Sequence, residues 1–127
     1  MRRDFGITRA EAQKRLGPPL KKEERTSTLE DMKMTVLETE LFYPDGSVVY
    51  WTFSGREALC GFDFEGGERN FGPLAMGDSP DRTEEVLGAP MQVKNRVWTY
   101  LSGMSRIHIC FDRDTRIDRF IFERDLF

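Results

Sequence analysis

The chain is poor in the residues that most often carry chemistry: its 127 positions hold two cysteines and one histidine. A structural zinc site takes about four thiolate or imidazole ligands, so Cys60, Cys110 and His108 are too few, and no CxxC spacing occurs. The two cysteines allow one disulfide or two free thiols, and thiols in a reducing compartment are the simpler reading. No apolar run approaches the roughly 18 residues that a membrane helix needs. The opening "MRRDFGITRA" has positive charge without the apolar stretch of a secretory leader. As written, the chain is therefore expected in the cytoplasm; a periplasmic or secreted location is the alternative if a leader was removed. Nineteen basic against 22 acidic residues give a formal charge of −3. With no block of about five like charges, there is no footprint for a phosphate backbone, and nucleic acid is not expected as a partner.

Catalytic signatures are equally scarce. His108 is the only side chain with an unperturbed titration near neutral pH. Cys110 lies two residues away, but no glycine-rich elbow or oxyanion motif accompanies the pair. "EGGERNFGP" is not a GxGxxG, and "DRDTRID" lacks the glycine and distal glutamate of an EF-hand loop. Neither an enzymatic activity nor a cofactor or metal is expected.

What the sequence does have is repetition. "FGITRAEAQKRLGPPL" at 5–20 is answered by "MGDSPDRTEEVLGAPM" at 76–91: Gly6 matches Gly77, Leu16 and Gly17 match Leu87 and Gly88, and Pro19 matches Pro90. Each reads as a short helix. Thr8 caps the first, with Glu11 completing a capping box, and Ser79 caps the second, with Pro80 at its first position. Gly17 and Gly88 end them, followed by prolines that cannot continue a helix. Helices this short must lean on something else.

Three strands follow each helix. "TVLETELFY", "SVVYWTF" and "ALCGFDFE" are separated by "PDG" and "SGRE"; "NRVWTYL", "SRIHICF" and "RIDRFIFE" are separated by "SGM" and "DRDT". A shift of 58 positions places Phe111 on Phe53, Phe120 on Phe62 and Phe122 on Phe64 without a gap. The polar stretch "KKEERTSTLEDMK" is left as an extra loop. "EGGERNFGP" reads as the linker, anchored by Phe71 and Leu74.

Alternation assigns Val49, Trp51 and Phe53, with Ile107, Ile109 and Phe111, to the face covered by helices. The uncovered face is then expected to carry Phe42, Tyr50, Trp98, Tyr100, Arg106 and His108. Tyrosine, tryptophan and arginine on such a face match the composition of interface anchors.

The resulting expectation is an α+β fold forming a single domain over 1–127. It has two tandem helix-plus-three-stranded-meander repeats, 5–66 and 67–127, sharing one antiparallel sheet of about six strands. This pattern resembles the tandem-repeat β-lactamase inhibitor protein family. Each unit also resembles the SmpA/OmlA-type outer-membrane lipoproteins, whose G-x-[ST]…LG-x-P signature matches Gly6, Thr8, Leu16, Gly17 and Pro19, then Gly77, Ser79, Leu87, Gly88 and Pro90. The resemblance implies a concave sheet face that grips a partner protein, and a first-unit hairpin, here Tyr43-Pro44-Asp45-Gly46, that enters the partner. In that family each unit carries a disulfide, whereas Cys60 and Cys110 stand at non-equivalent positions. The functional expectation is a non-enzymatic protein-binding module, inhibitor-like or immunity-like, that uses the open face and Asp45. An envelope assembly factor of the lipoprotein type is the alternative.

Overall fold

The computed structural model describes residues 17–30, 33–71 and 73–124. Strands take 62% of these residues and helix 9%. The sheet is antiparallel throughout and has eight strands: β1 (Lys21–Leu29), β2 (Met34–Tyr43), β3 (Gly46–Phe53), β4 (Arg56–Glu65), β7 (Gln92–Lys94), β8 (Val97–Ser102), β9 (Ser105–Phe111) and β10 (Ile117–Arg124). Their order across the sheet is β1-β2-β3-β4-β10-β9-β8-β7. A two-stranded ribbon, β5 (Asn70–Phe71) with β6 (Leu74–Ala75), and one helix, α1 (Pro80–Leu87), complete the described elements.

This architecture corrects the α+β expectation of two helix-plus-meander repeats. The protein is mostly β, with one short helix among the described residues. The helix expected after Thr8 lies outside them. Two strands add to the six expected. β1 occupies the segment read as an extra loop, because a strand at a sheet edge with both faces wet needs no apolar alternation. Its alternate residues Lys21, Glu23 and Arg25 lie on one face, and Arg25 reaches Glu38 and Glu40 on β2. β7 is only three residues long and turns into β8 through Asn95 and Arg96, both at positive φ (50° and 64°), the backbone of a type I′ hairpin.

The helix follows its sequence signals. The Ser79 hydroxyl accepts from the Arg82 N–H, Pro80 occupies the first position, and Gly88 closes the helix at φ 82° with its N–H on the Glu84 carbonyl. Met76, Val86 and Leu87 pack against the core. The ribbon contributes Phe71 and Leu74, both buried, and Phe71 stacks on Phe120 with ring centroids 3.9 Å apart. Expected as linker anchors, both occupy that role.

The covered sheet face is built from Leu41, Tyr43, Val48, Tyr50, Leu59, Phe62, Phe64, Ile109, Phe111, Ile117, Phe120 and Phe122. Val48 and Tyr50 are both 0% exposed, so the face assignment of β3 is the reverse of the one read from alternation. Register explains the reversal. Val48 pairs with Phe62, and Ile109 pairs with Phe120. Phe62 and Phe120 do correspond at a shift of 58, but Val48 and Ile109 are 61 apart. The β9–β10 hairpin is three residues shorter than β3–β4, and an odd slip moves every side chain of a strand to the other face. Within β4 and β10 the shift of 58 holds even at the irregularities: each strand has one bulged residue, Cys60 and Asp118. Asp63 and Ile121, also equivalent, pair directly at the β4–β10 seam.

Candidate functional site

The sheet face opposite α1 and the ribbon carries the side chains that alternate with the core set. On β2 these are Glu38, Glu40 and Phe42; on β3, Ser47, Val49 and Trp51; at the seam, Gly61, Asp63, Arg119, Ile121 and Glu123; on β9, Arg106, His108 and Cys110. Arg106, His108 and Phe42 lie where the sequence placed them. Tyr50, Trp98 and Tyr100 do not. Tyr50 is in the core, and Trp98 and Tyr100 pair with Ile109 and Ile107, which puts their rings on the covered side. Trp98 packs edge-on against Phe111 at 5.1 Å. In an antiparallel pair, directly opposed residues share a face, so the strand register decides what alternation along one strand leaves open.

The middle of the open face is hollow. A trough of about 460 Å³ is lined by Val49, Cys60, Gly61 and Ile121 among others, with Glu38, Glu40, Asp63, Arg106 and Glu123 around it. Its floor comes close to the seam because residue 61 has no side chain: a Cβ there would lie 2.6 Å from the Phe122 carbonyl oxygen. A second hollow of about 390 Å³, lined by Phe42, Pro44, Asp45 and Arg119, shares Ser47 and Asp63 with the first. The depression therefore runs from the β2–β3 hairpin across the seam to β10.

Charges around it are ordered by mutual pairing. Glu38 accepts from the Trp51 indole N–H at 3.0 Å and from Arg25 Nε at 2.8 Å. The indole bond, with Arg25 adding to it, holds the Glu38 carboxyl below its ordinary pKa. Glu40 accepts from Ser47 Oγ at 2.7 Å and from Arg25 at 3.2 Å. Arg119 grips Asp63 with two bonds of 2.9 and 2.6 Å. Arg106 Nε donates to Glu123 at 3.1 Å. His108 Nε2 stands 3.5 Å from the same carboxylate, while its Nδ1 is 3.0 Å from Thr99 Oγ1.

Asp45, expected to engage a partner from the first-unit hairpin, is held by an ion pair within the chain. Its carboxylate receives two bonds from Arg69, of 2.8 and 2.7 Å, and these push its pKa down. The Arg69 guanidinium in turn lies 4.6 Å from the centroid of the Phe64 ring. The side chain thus ties the hairpin to the ribbon, and Asp45 also lines the second hollow. Both cysteines are thiols, with no disulfide between them. Burial raises the Cys110 thiol pKa, which disfavours the thiolate. Among the described residues no three His, Cys, Asp or Glu groups are placed to hold a metal ion, and no helix is long and apolar enough to cross a membrane.

Comparison with known protein families, curated proteins and solved structures gives no match. The resemblance to the β-lactamase inhibitor proteins and the lipoproteins rests on the sequence motifs.

Trp51, Val49, Ile121, Asp63 and Arg119 are among the members of this face that sequence reasoning did not propose. For Ile121 a signal was present: in "DRFIFE" it alternates with Phe120 and Phe122, so one of the two sets had to face away from the core.

Proposed function

We propose that the protein is a non-enzymatic binding module, inhibitor-like or immunity-like, that engages another protein through the open sheet face. The observation that supports this is the makeup of the depression. Val49, Ile121 and Gly61 give it an apolar floor, and the ion pairs Arg25–Glu38, Arg119–Asp63 and Arg106–Glu123 surround it. An apolar centre inside a polar rim is the anatomy of a protein interface. Trp51 and the rim arginines are the residue types that concentrate binding energy. None of the described helix or ribbon elements lies over this sheet face, and such a face meets solvent or a partner.

The test places a charge on the floor. The Ile121→Arg and Val49→Arg variants, immobilised beside the unaltered protein, should lose at least about 90% of specifically captured partner, equivalent to more than ~1.4 kcal/mol of binding. Their β-sheet circular dichroism should be unchanged. The Phe42→Ala, Arg106→Ala and His108→Ala variants should weaken capture by smaller factors, since these side chains lie further out on the same face. Undiminished capture by both floor variants would overturn the reading.

A further inference from the structure

The two edges of the sheet are built in opposite ways. β1 runs for nine residues and carries Lys21, Lys22, Glu23, Glu24 and Arg25 in succession, with ion pairs such as Lys21–Glu23 at 2.7 Å and Lys22–Glu24 at 3.1 Å along it. A charged edge of this kind resists pairing with another strand. At the far edge, β7 has a single charge, Lys94, and all three of its residues are exposed. Five large hydrophobic side chains are strongly exposed among the described residues, and four gather at this end: Met91 (67%), Val93 (59%), Leu101 (47%) and Met104 (53%). Apolar surface concentrated at one place marks an interaction site.

The hairpin geometry shows what the edge can bind. Lys94 and Val97 close the two-residue turn, and Gln92 faces Thr99. In such a ladder the hydrogen-bonded pairs alternate with non-bonded ones, so Val93, opposite Trp98, directs its N–H and C=O away from β8. Leu101 lies beyond the reach of β7, whose pairing with β8 covers Val97 to Thr99.

We propose that this edge pairs with a second copy of the chain, β7 against β7, antiparallel about a two-fold axis at Val93. The occupant follows from charge. In that register Val93 exchanges both backbone bonds with the partner's Val93, and Lys94 faces the partner's neutral Gln92. No like charges meet, and the two valines adjoin on the covered side. The same operation on β1, about its central residue, would set Arg25 directly opposite the partner's Arg25, which destabilises a strand pair. The dimer extends the sheet at its far edge and does not involve the residues that line the trough across each chain's seam.

Sedimentation equilibrium over a micromolar to millimolar range should show a species of twice the 14.8 kDa chain mass. Val93→Pro removes the outward N–H without touching a bond to β8, and Val93→Lys places charge against charge at the axis. Each should weaken association by about tenfold or more, while Arg25→Ala on the opposite edge should leave it unchanged. Thermal melts of Val93→Lys, altered at an exposed site, show whether the fold is retained. A single monomeric mass at every concentration would refute the proposal and leave the edge to a strand of a different protein. A dimer that neither Val93 variant weakens would refute it as well, placing the contact elsewhere.

Discussion

The Tyr100 hydroxyl donates to the Gly88 carbonyl across 2.9 Å, which fastens the end of α1 to strand β8. Tyr43 on β2 donates in the same way to the Gly17 carbonyl, at 3.1 Å. Gly17 and Gly88 are the glycines of the repeated "LGPP" and "LGAP", both at positive φ (85° and 82°). The repeated motif therefore presents a carbonyl that a tyrosine on the sheet uses as its anchor point. Replacing either tyrosine with phenylalanine keeps the ring and removes the bond. Each change should lower unfolding free energy by about 1 kcal/mol. The double variant should be additive to within about 0.5 kcal/mol if the two anchors act independently. Urea titrations of the four proteins measure this directly.

Adjacent residues on β3 give a sharper test of the sheet's two faces. Val48 and Tyr50 are fully buried, whereas Val49 and Trp51 are half-buried on the open side. Tyr50→Ala should cost about 3–5 kcal/mol, as large aromatic truncations in cores do, and Val48→Ala about 2 kcal/mol. Val49→Ala should cost less than about 1 kcal/mol. Equal costs at positions 48 and 49 would mean that the register described for β3 does not hold in solution.

The same two residues mark where the sequence stopped being legible. Ser79, Pro80 and Gly88 announced α1 through capping chemistry that acts within a few residues, and the structure keeps it. Strands β2, β3, β4, β8, β9 and β10 were visible as apolar runs between turn residues. "SVVYW" was not decidable, because apolar side chains occupy both phases of the alternation. Its face depends on a three-residue difference between two hairpins far apart in sequence. β1 was illegible for another reason: its charges pair along the strand, Lys21 with Glu23 and Lys22 with Glu24, and only Arg25 crosses to Glu38 and Glu40 on β2, and a polar strand and a polar loop have the same composition. The open face could be inferred in outline from Arg106 and His108, but Trp98 and Tyr100 needed the cross-strand register to be placed.

Acid should separate two carboxylates with opposite behaviour. Arg69 holds the Asp45 carboxyl below its ordinary value of 3.8. The stability this contributes is therefore complete above the unfolded value, and it is lost as pH falls through the lower folded one. Asp118 is the reverse: burial first, then Asp112 and Glu65, raise its carboxyl above 3.8. Its protonation favours the folded state, an effect fully present below the unfolded value and lost as pH rises through the folded one. Asp45→Asn should cost about 2 kcal/mol near neutral pH, from loss of a charged two-bond contact, and should flatten the fall in stability below pH 4 or so. Asp118→Asn should instead be stabilising at neutral pH, with the gain shrinking in acid. Thermal melts across pH for the three proteins would show whether the two curves move in opposite directions.

Gly61 links the sheet's stability to the shape of its open face. It pairs with Glu123 at the seam, where a side chain would meet the backbone of the neighbouring strand instead of a movable group. The clash at 2.6 Å from the Phe122 carbonyl oxygen can be relieved only by parting β4 from β10, and among the described residues that pairing is the one strand ladder joining the first four strands of the large sheet to its last four. Overpacking typically costs about 1–3 kcal/mol, and here the strain falls on ladder hydrogen bonds. Gly61→Ala should therefore lower the denaturant midpoint and speed amide exchange along Gly61–Glu65 and Arg119–Glu123 more than at the β1–β2 edge. A Gly61→Ala variant with unaltered stability and exchange would show that the seam tolerates a side chain, and that the depth of the trough is not set by the missing Cβ.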